Sequence, residues 1–255
     1  MLIILSPSKT INTNNTISTS TFTQPYFINR SAKIVSKIKK LIPSDLSNLM
    51  NISPKLSQLN FDRFQHWNSI HNLSNSKQAL LSFKGEVFNG LDVNTFSEED
   101  LLYSQDHLFI LSGLYGVLRP LDLIQPYRLE ISTKIEIEKL ANLYAYWQNI
   151  ITQELNKSIA SKKTNILINL ASNEYFKVID KKKLHANIIT PVFKENKNGK
   201  YKIVTIYAKK ARGLMTNYIL RNKIEKAENL KFFDEEGYYY NEPLSDDKQF
   251  VFTRG

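Results

Sequence analysis

Cysteine is absent from this 255-residue chain. Disulfides, thiolate metal sites and thiol peroxidase chemistry are therefore excluded, and a reducing compartment is permitted. Glycine and proline are scarce, at eight residues each, which excludes collagen-like and low-complexity architectures. No apolar run approaches the roughly 20 residues that span a bilayer. The opening Met1-Leu2-Ile3-Ile4-Leu5 is too short for a signal-peptide core, and no basic segment precedes it. No membrane partner is expected. Only four histidines occur, and His66 and His71 are five apart instead of the four that sets two ligands on one helical face. The chain has no Walker loop, no GxGxxG and no GxSxG. Neither a metal site nor a bound cofactor is expected.

What is present is a hydrophobic content of 42%, ordinary for a globular protein. The length allows one large domain or two small ones. The net charge of +10 is unevenly placed. Residues 161–231 hold 17 Lys+Arg against 5 Asp+Glu, a net of +12, while residues 232–255 hold 2 against 6, a net of −4. Such concentration favours a polyanionic partner through steering and counterion release. A chain rich in Lys, Asn and Ile throughout is the plainer explanation.

Residues 2–5 read as a buried strand, and Lys9 stands just past its end, where it can meet an anion. Residues 12–24 are rich in Ser, Thr and Asn and read as a surface loop. Over 28–42, Ile34, Ile38, Leu41 and Ile42 share a helical face, and Pro43 stops the helix. Ser44 or Ser53 then starts a short helix. Phe61, Phe64, Trp67 and Ile70 recur at helical spacing and read as core. Residues 78–91 read as one helix. A connection at Asp92-Val93-Asn94 leads to a second helix, capped by Thr95 or Ser97 with acids in its first turn. This order suits a helix-hairpin-helix, whose turn offers N–H groups to phosphate with Lys84 nearby. An ordinary αα-hairpin is the commoner use.

The second half predicts a helix over 140–159 and a buried strand over 164–170. That strand runs into a helix opened by Glu174-Tyr175-Phe176, with Ser172 or Asn173 as cap. Two β-rich runs, 187–194 and 201–207, flank a hairpin turn at Asn198-Gly199. A helix over 208–224 follows, apolar along Ala208, Ala211, Leu214, Met215, Tyr218 and Ile219, with Lys210, Asn217 and Arg221 opposite. Gly213 inside it costs about 1 kcal/mol relative to Ala, which signals close approach of another backbone or a ligand. The acidic tail predicts one or two short strands.

The chain is organised around residues 111–130, LSGLYGVLRPLDLIQPYRLE. The apolar HLFILSG leads into it as a strand ending at Gly113. Pro120 and Pro126 fix φ and extend the residues before them, so a shaped loop directs Arg119 and Arg128. The plain alternative is a buried connector whose arginines pair with Asp122 and Glu130.

Together with ILSPSKT at 4–10, FKGEVFNGL at 83–91, NLASNEYFKVI at 169–179 and YAKKARGLM at 207–215, this stretch resembles the YaaA family of bacterial peroxide-stress-resistance proteins. The resemblance covers nearly the whole chain and is weakest over 12–24 and 43–77. It implies a cytoplasmic protein that limits damage from hydrogen peroxide and loosely held iron. It also implies duplex-DNA binding through a basic cleft and a helix-hairpin-helix element, on an unusual α/β fold.

The combined expectation is a single α/β domain over 1–255 with a mixed central sheet wrapped by helices. The candidate DNA- or anion-binding residues are Lys9, Lys84, Arg119, Arg128, Asn173, Lys209, Lys210, Arg212 and Arg221. Lys9, Arg119, Arg128, Asn173 and Lys209 or Arg212 are expected to line one cleft. The rival reading is an enzyme acting on a nucleotide, base or sugar phosphate in that cleft. Glu174 or Asp122 would then be general acid/base and Lys209 a Schiff-base nucleophile. A purely structural or partner-binding protein ranks third.

Overall fold

The elements of the computed structural model, which describes residues 1–12 and 19–255, follow the apolar pattern of the chain. Most of the loop expected over 12–24 is described only from residue 19 on; residues 13–18 lie outside the described residues. The chain opens with the fully buried β1 (Leu2–Leu5) and the short β2 (Thr10–Ile11). In α1 (Ile28–Ile38), Ile34, Val35 and Ile38 are buried. Helix α1 thus stops at Ile38, short of the expected 42, and Pro43 does not end it; Pro43 instead opens α2 (Pro43–Met50), in whose first turn a missing N–H breaks no helical bond. Ser53 caps α3 (Pro54–His66), its Oγ accepting from the Leu56 N–H at 3.4 Å. Of the aromatic stripe, Phe64 and Trp67 are buried, whereas Ile70 is exposed.

The single helix expected over 78–91 is broken into β3 (Lys77–Gln78), α4 (Ala79–Ser82), β4 (Phe83–Lys84) and α5 (Glu86–Leu91). The break centres on Gly85, whose φ of 138° is incompatible with a helix. Antiparallel pairing of β4 with β2 takes Phe83 and Lys84 into a ladder instead. Beyond α5, Asp92 turns the chain at φ 41°, and a 3₁₀ turn over Val93–Thr95 leads to α6 (Glu98–His107). Ser97 and Asp100 cap α6 reciprocally.

There follow β5 (Leu108–Ser112), β6 (Gly116–Leu118), β7 (Leu123–Ile124) and α7 (Leu143–Ser161). Next come β8 (Ile166–Leu170), α8 (Asn173–Phe176), β9 (Asn187–Lys197) and β10 (Lys200–Lys202). At the β9–β10 turn, Asn198 and Gly199 have φ of 55° and 75°, as a two-residue hairpin of primed type requires. Helix α9 (Thr205–Arg221) takes residues 205–207, the end of the second β-rich run, into its first turn. β11 (Tyr239–Tyr240) and β12 (Gln249–Arg254) close the chain.

Eight strands form one mixed sheet in the order β11-β12-β9-β8-β1-β5-β6, with β10 also on β9. The run from β12 to β5 is parallel throughout, and β6, β10 and β11 pair antiparallel at its margins. β1 therefore sits centrally between β8 and β5, which explains its four consecutive buried apolar residues. Helices surround this sheet, and one apolar core joins residues from Met1 to Phe252.

Helix α9 packs tightly on α5. A Cβ on Gly213 would stand 1.9 Å from the Val87 carbonyl oxygen, and one on Gly90 would stand 2.1 Å from that of Lys210. The close approach inferred at Gly213 is thus a second helix backbone. Asn217 also turns towards this crossing, its Nδ2 donating to Leu91 O at 2.6 Å and Thr95 Oγ1 at 3.1 Å. Among the described residues, no helix is long and apolar enough to cross a membrane.

Candidate functional site

In α/β sheets the carboxyl ends of parallel strands leave polar backbone and loop side chains facing a crevice. Here the ends of β1 and β8 are tied together. Ser6 Oγ accepts from the Ser172 N–H at 2.8 Å and donates to Ser172 Oγ at 3.2 Å. Ser172 is the cap of α8, accepting from the Tyr175 N–H at 3.4 Å. Two residues beyond Ser6, Ser8 Oγ donates to the Lys84 carbonyl and accepts from the Thr10 N–H. The exit of β1 is thereby fastened to β4, just ahead of α5.

The loop after β7 supplies the third side. Tyr127 shares a 2.6 Å hydroxyl–hydroxyl bond with Ser112 at the end of β5. Beside it, Glu130 Oε1 accepts from Arg128 Nε at 3.2 Å and its terminal nitrogen at 3.0 Å, and meets Lys9 Nζ at 3.1 Å. Glu130 Oε2 is buried and has no hydrogen-bond partner among the described residues. From α8, Glu174 Oε1 accepts from Ser132 Oγ at 2.6 Å. Lys209 and Arg212 project from α9.

These groups enclose a cavity of about 340 Å³ lined by Ser6, Ser8, Lys9, Glu86, Phe88, Tyr127, Arg128, Glu130, Ser172, Glu174, Tyr175, Lys209 and Arg212, among others. A second depression shares Lys9, Glu130 and Glu174 with it and continues to residues 48–51 at the end of α2. The lining is of mixed charge, with four cations and three carboxylates. Burial pulls the Arg212 guanidinium below its ordinary pKa and pushes the Tyr127 and Tyr175 hydroxyls up, so both phenols stay protonated. Arg212 and Lys209 have no ion-pair partner among the described residues, whereas Lys9 and Arg128 both engage Glu130. Among the described residues, no group of three His, Asp or Glu side chains is arranged to hold a metal.

Of the residues singled out in the sequence, Lys9, Arg128, Lys209, Arg212, Glu174 and Tyr175 meet in this cavity. Arg119 does not line it. Its guanidinium pairs with the buried Asp122 at 3.0 Å and lies 4.1 Å from the Tyr26 ring centroid. Asp122 in turn accepts from the Arg119 N–H at 2.8 Å and from Thr23 Oγ1 at 2.5 Å. Burial pushes the Asp122 carboxyl up, against the lowering effect of Arg119. The pair thus braces the central loop, and both pairings of the plain connector reading, Arg119–Asp122 and Arg128–Glu130, are present. Asn173 is exposed at the start of α8, outside the lining. Lys84 borders a neighbouring depression with Asn12, Asn89 and Asn94. Lys210 is paired with Glu236 of the acidic tail, and Arg221 is exposed at the end of α9. Sequence reasoning missed Ser6, Ser8 and Glu86 as lining residues. The first two lie in the ILSPSKT motif beside Lys9, which was the available signal.

The fold and cleft define an α/β protein with a mixed-charge site at the carboxyl edge of its parallel strands. The family model described as peroxide stress protein YaaA matches residues 1–244, and the chain belongs to that family. It is similar to proteins named UPF0246 protein from Aliivibrio fischeri and Shewanella loihica, each 49% identical over all of this chain and 98% of the relative. Membership supports a role in peroxide stress.

Proposed function

We propose that this protein acts in peroxide stress, in the cytoplasm, by binding duplex DNA through phosphate contacts and without strong sequence preference. The observation that carries the reading is a run of cations lacking ion-pair partners among the described residues: Lys194, Lys197, Lys200, Lys202, Lys209 and Arg212. They follow the β9–β10 hairpin into α9 and on to the cleft. The one acid within the hairpin, Glu195, is engaged by Arg254 at 2.9 Å and by the Tyr238 hydroxyl. Cations laid on phosphate release the duplex's condensed counterions. Iron held loosely on phosphate is among the cations such binding displaces, which would keep peroxide-driven damage off the DNA. Tyr201 and Tyr207, both exposed on the same segment, add flat surfaces for sugar and base edges.

The test is Lys200→Glu combined with Lys202→Glu. Both side chains are exposed on β10, so stability should change by less than about 0.5 kcal/mol. Affinity for unrelated duplexes should fall at least tenfold at low salt. Undiminished binding by this variant, or no duplex binding by the unaltered protein at low salt, sinks the proposal.

A further inference from the structure

The cleft has features that phosphate-backbone binding along an open basic surface does not require. It is small: about 340 Å³, at the lower end of the range of about 300–1,000 Å³ for small-molecule sites. Its lining includes three aromatic side chains, Tyr127, Tyr175 and Phe88, all buried. Its charges are not interchangeable. Glu130 holds Lys9 and Arg128, which leaves Lys209 and the half-buried Arg212 as two positive charges with no ion-pair partner among the described residues. Two cations beside aromatic side chains, at the carboxyl edge of parallel strands, match a doubly charged anion attached to a flat body.

We propose that this cleft binds a monophosphate ester carrying a planar ring, the size of a mononucleotide, with the phosphate on Arg212 and Lys209. The ring lies among Tyr127, Tyr175 and Phe88, and the Glu86 and Glu174 carboxylates accept from the hydroxyl or N–H groups of the ligand. A planar guanidinium presents paired donors to phosphate oxygens, and Lys209 adds a compact positive charge. The same chemistry has two sources, a free nucleotide and the phosphorylated end of a nucleic-acid chain. The site shares Lys209 and Arg212 with the duplex reading but does not rest on it, because the hairpin lysines outside the cleft take no part.

Calorimetric titration of the whole protein with adenosine monophosphate, adenosine and a 5′-phosphorylated single strand separates these cases. The expected result is saturable one-to-one binding of adenosine monophosphate, with adenosine at least tenfold weaker. Binding of the phosphorylated strand alone, abolished by removing its phosphate, assigns the same site to chain ends. Arg212→Gln should weaken binding by about tenfold or more, as loss of a charge-assisted phosphate contact does. Lys209→Gln, at an exposed side chain that leaves the fold intact, should weaken it severalfold and carries the test if the Arg212 variant fails to fold. Lys200→Glu with Lys202→Glu should leave adenosine monophosphate binding unchanged even where duplex binding is lost. The proposal is overturned if neither phosphate compound binds the unaltered protein, or if affinity is the same in Lys209→Gln and in a folded Arg212→Gln.

Discussion

Inside the core, the Tyr115 hydroxyl accepts from Trp67 Nε1–H at 3.0 Å and from the Gln125 N–H at 3.2 Å, and stands 3.0 Å from His71 Nε2. Gln125 also borders the histidine. Its amide is oriented by bonds to Asn68 on both oxygen and nitrogen, so Nε2–H points at His71 Nδ1 at 3.3 Å. A proton on Nδ1 would face a donor in a site only 5% exposed. Burial accordingly lowers the His71 pKa to about 4. The unfolded chain binds a proton near the ordinary value of about 6.5, so it takes up more protons than the folded chain between these values. Stability therefore falls as the pH drops from about 6.5 to about 4, by about 3 kcal/mol from this residue. Urea titrations at pH 7 and pH 4.5 measure the loss, and His71→Gln should reduce it; an unchanged pH dependence in that variant refutes the assignment. The sequence makes local pairs legible and distant ones not. Arg119–Asp122 and Arg128–Glu130 are three and two residues apart. Ser6 and Ser172 are 166 apart, and only the pairing of β1 with β8 brings them together.

Between elements, the contact that fixes the cleft wall is the α5–α9 crossing. It holds Glu86 and Phe88 opposite Lys209 and Arg212 through two glycines, each against the other helix's backbone. Gly213→Ala gains about 1 kcal/mol in helix propensity but sets a methyl 1.9 Å from the Val87 carbonyl, which has no rotamer to yield. The net expectation is a loss of about 3 kcal/mol or more, hence a drop in melting temperature on the order of 10 °C. A melting temperature within a degree of the unaltered protein would show that the crossing relaxes freely. The same pair shows what sequence periodicity conveys. Gly213 announced a close approach through its helical cost, but nothing local revealed the partner. The break of residues 78–91 was hidden for a related reason. Ala79, Leu80, Phe83, Val87 and Leu91 keep helical spacing, and it is the tertiary pairing of β4 with β2 that overrides it.

For the molecule as a whole, charge is segregated. The basic stretch runs along the hairpin and α9, and the acidic tail neutralises part of it through Glu236, which meets Lys210. This segregation predicts duplex affinity that falls steeply with salt, with a log–log slope of about −0.9 for each phosphate engaged. Competition titrations from 50 to 200 mM salt (a range on the scale over which such contacts weaken) provide the measurement, and a flat profile contradicts phosphate binding. Glu236→Gln frees Lys210 and should strengthen duplex binding at low salt. The overall α/β architecture was readable because buried parallel strands leave nearly continuous apolar runs, as at residues 2–5 and, interrupted only by Asn169, at 166–170. Strand order was not, since it depends on partners distant in sequence.

That strand order also bears on how the chain is made. β9 is 11 residues long and serves three neighbours along its length: β8 at its start, β12 through its middle and β10 at its end. β10 lies next to it in the chain and β8 precedes it, but β12 is the final strand. During synthesis the β12-facing edge of residues 190–195 therefore waits unpaired until residues 249–254 have emerged. An uncapped strand edge invites pairing with another nascent copy. That edge of β9 is thus open from its own emergence until β12 follows, and β12 acts as the clasp that closes it.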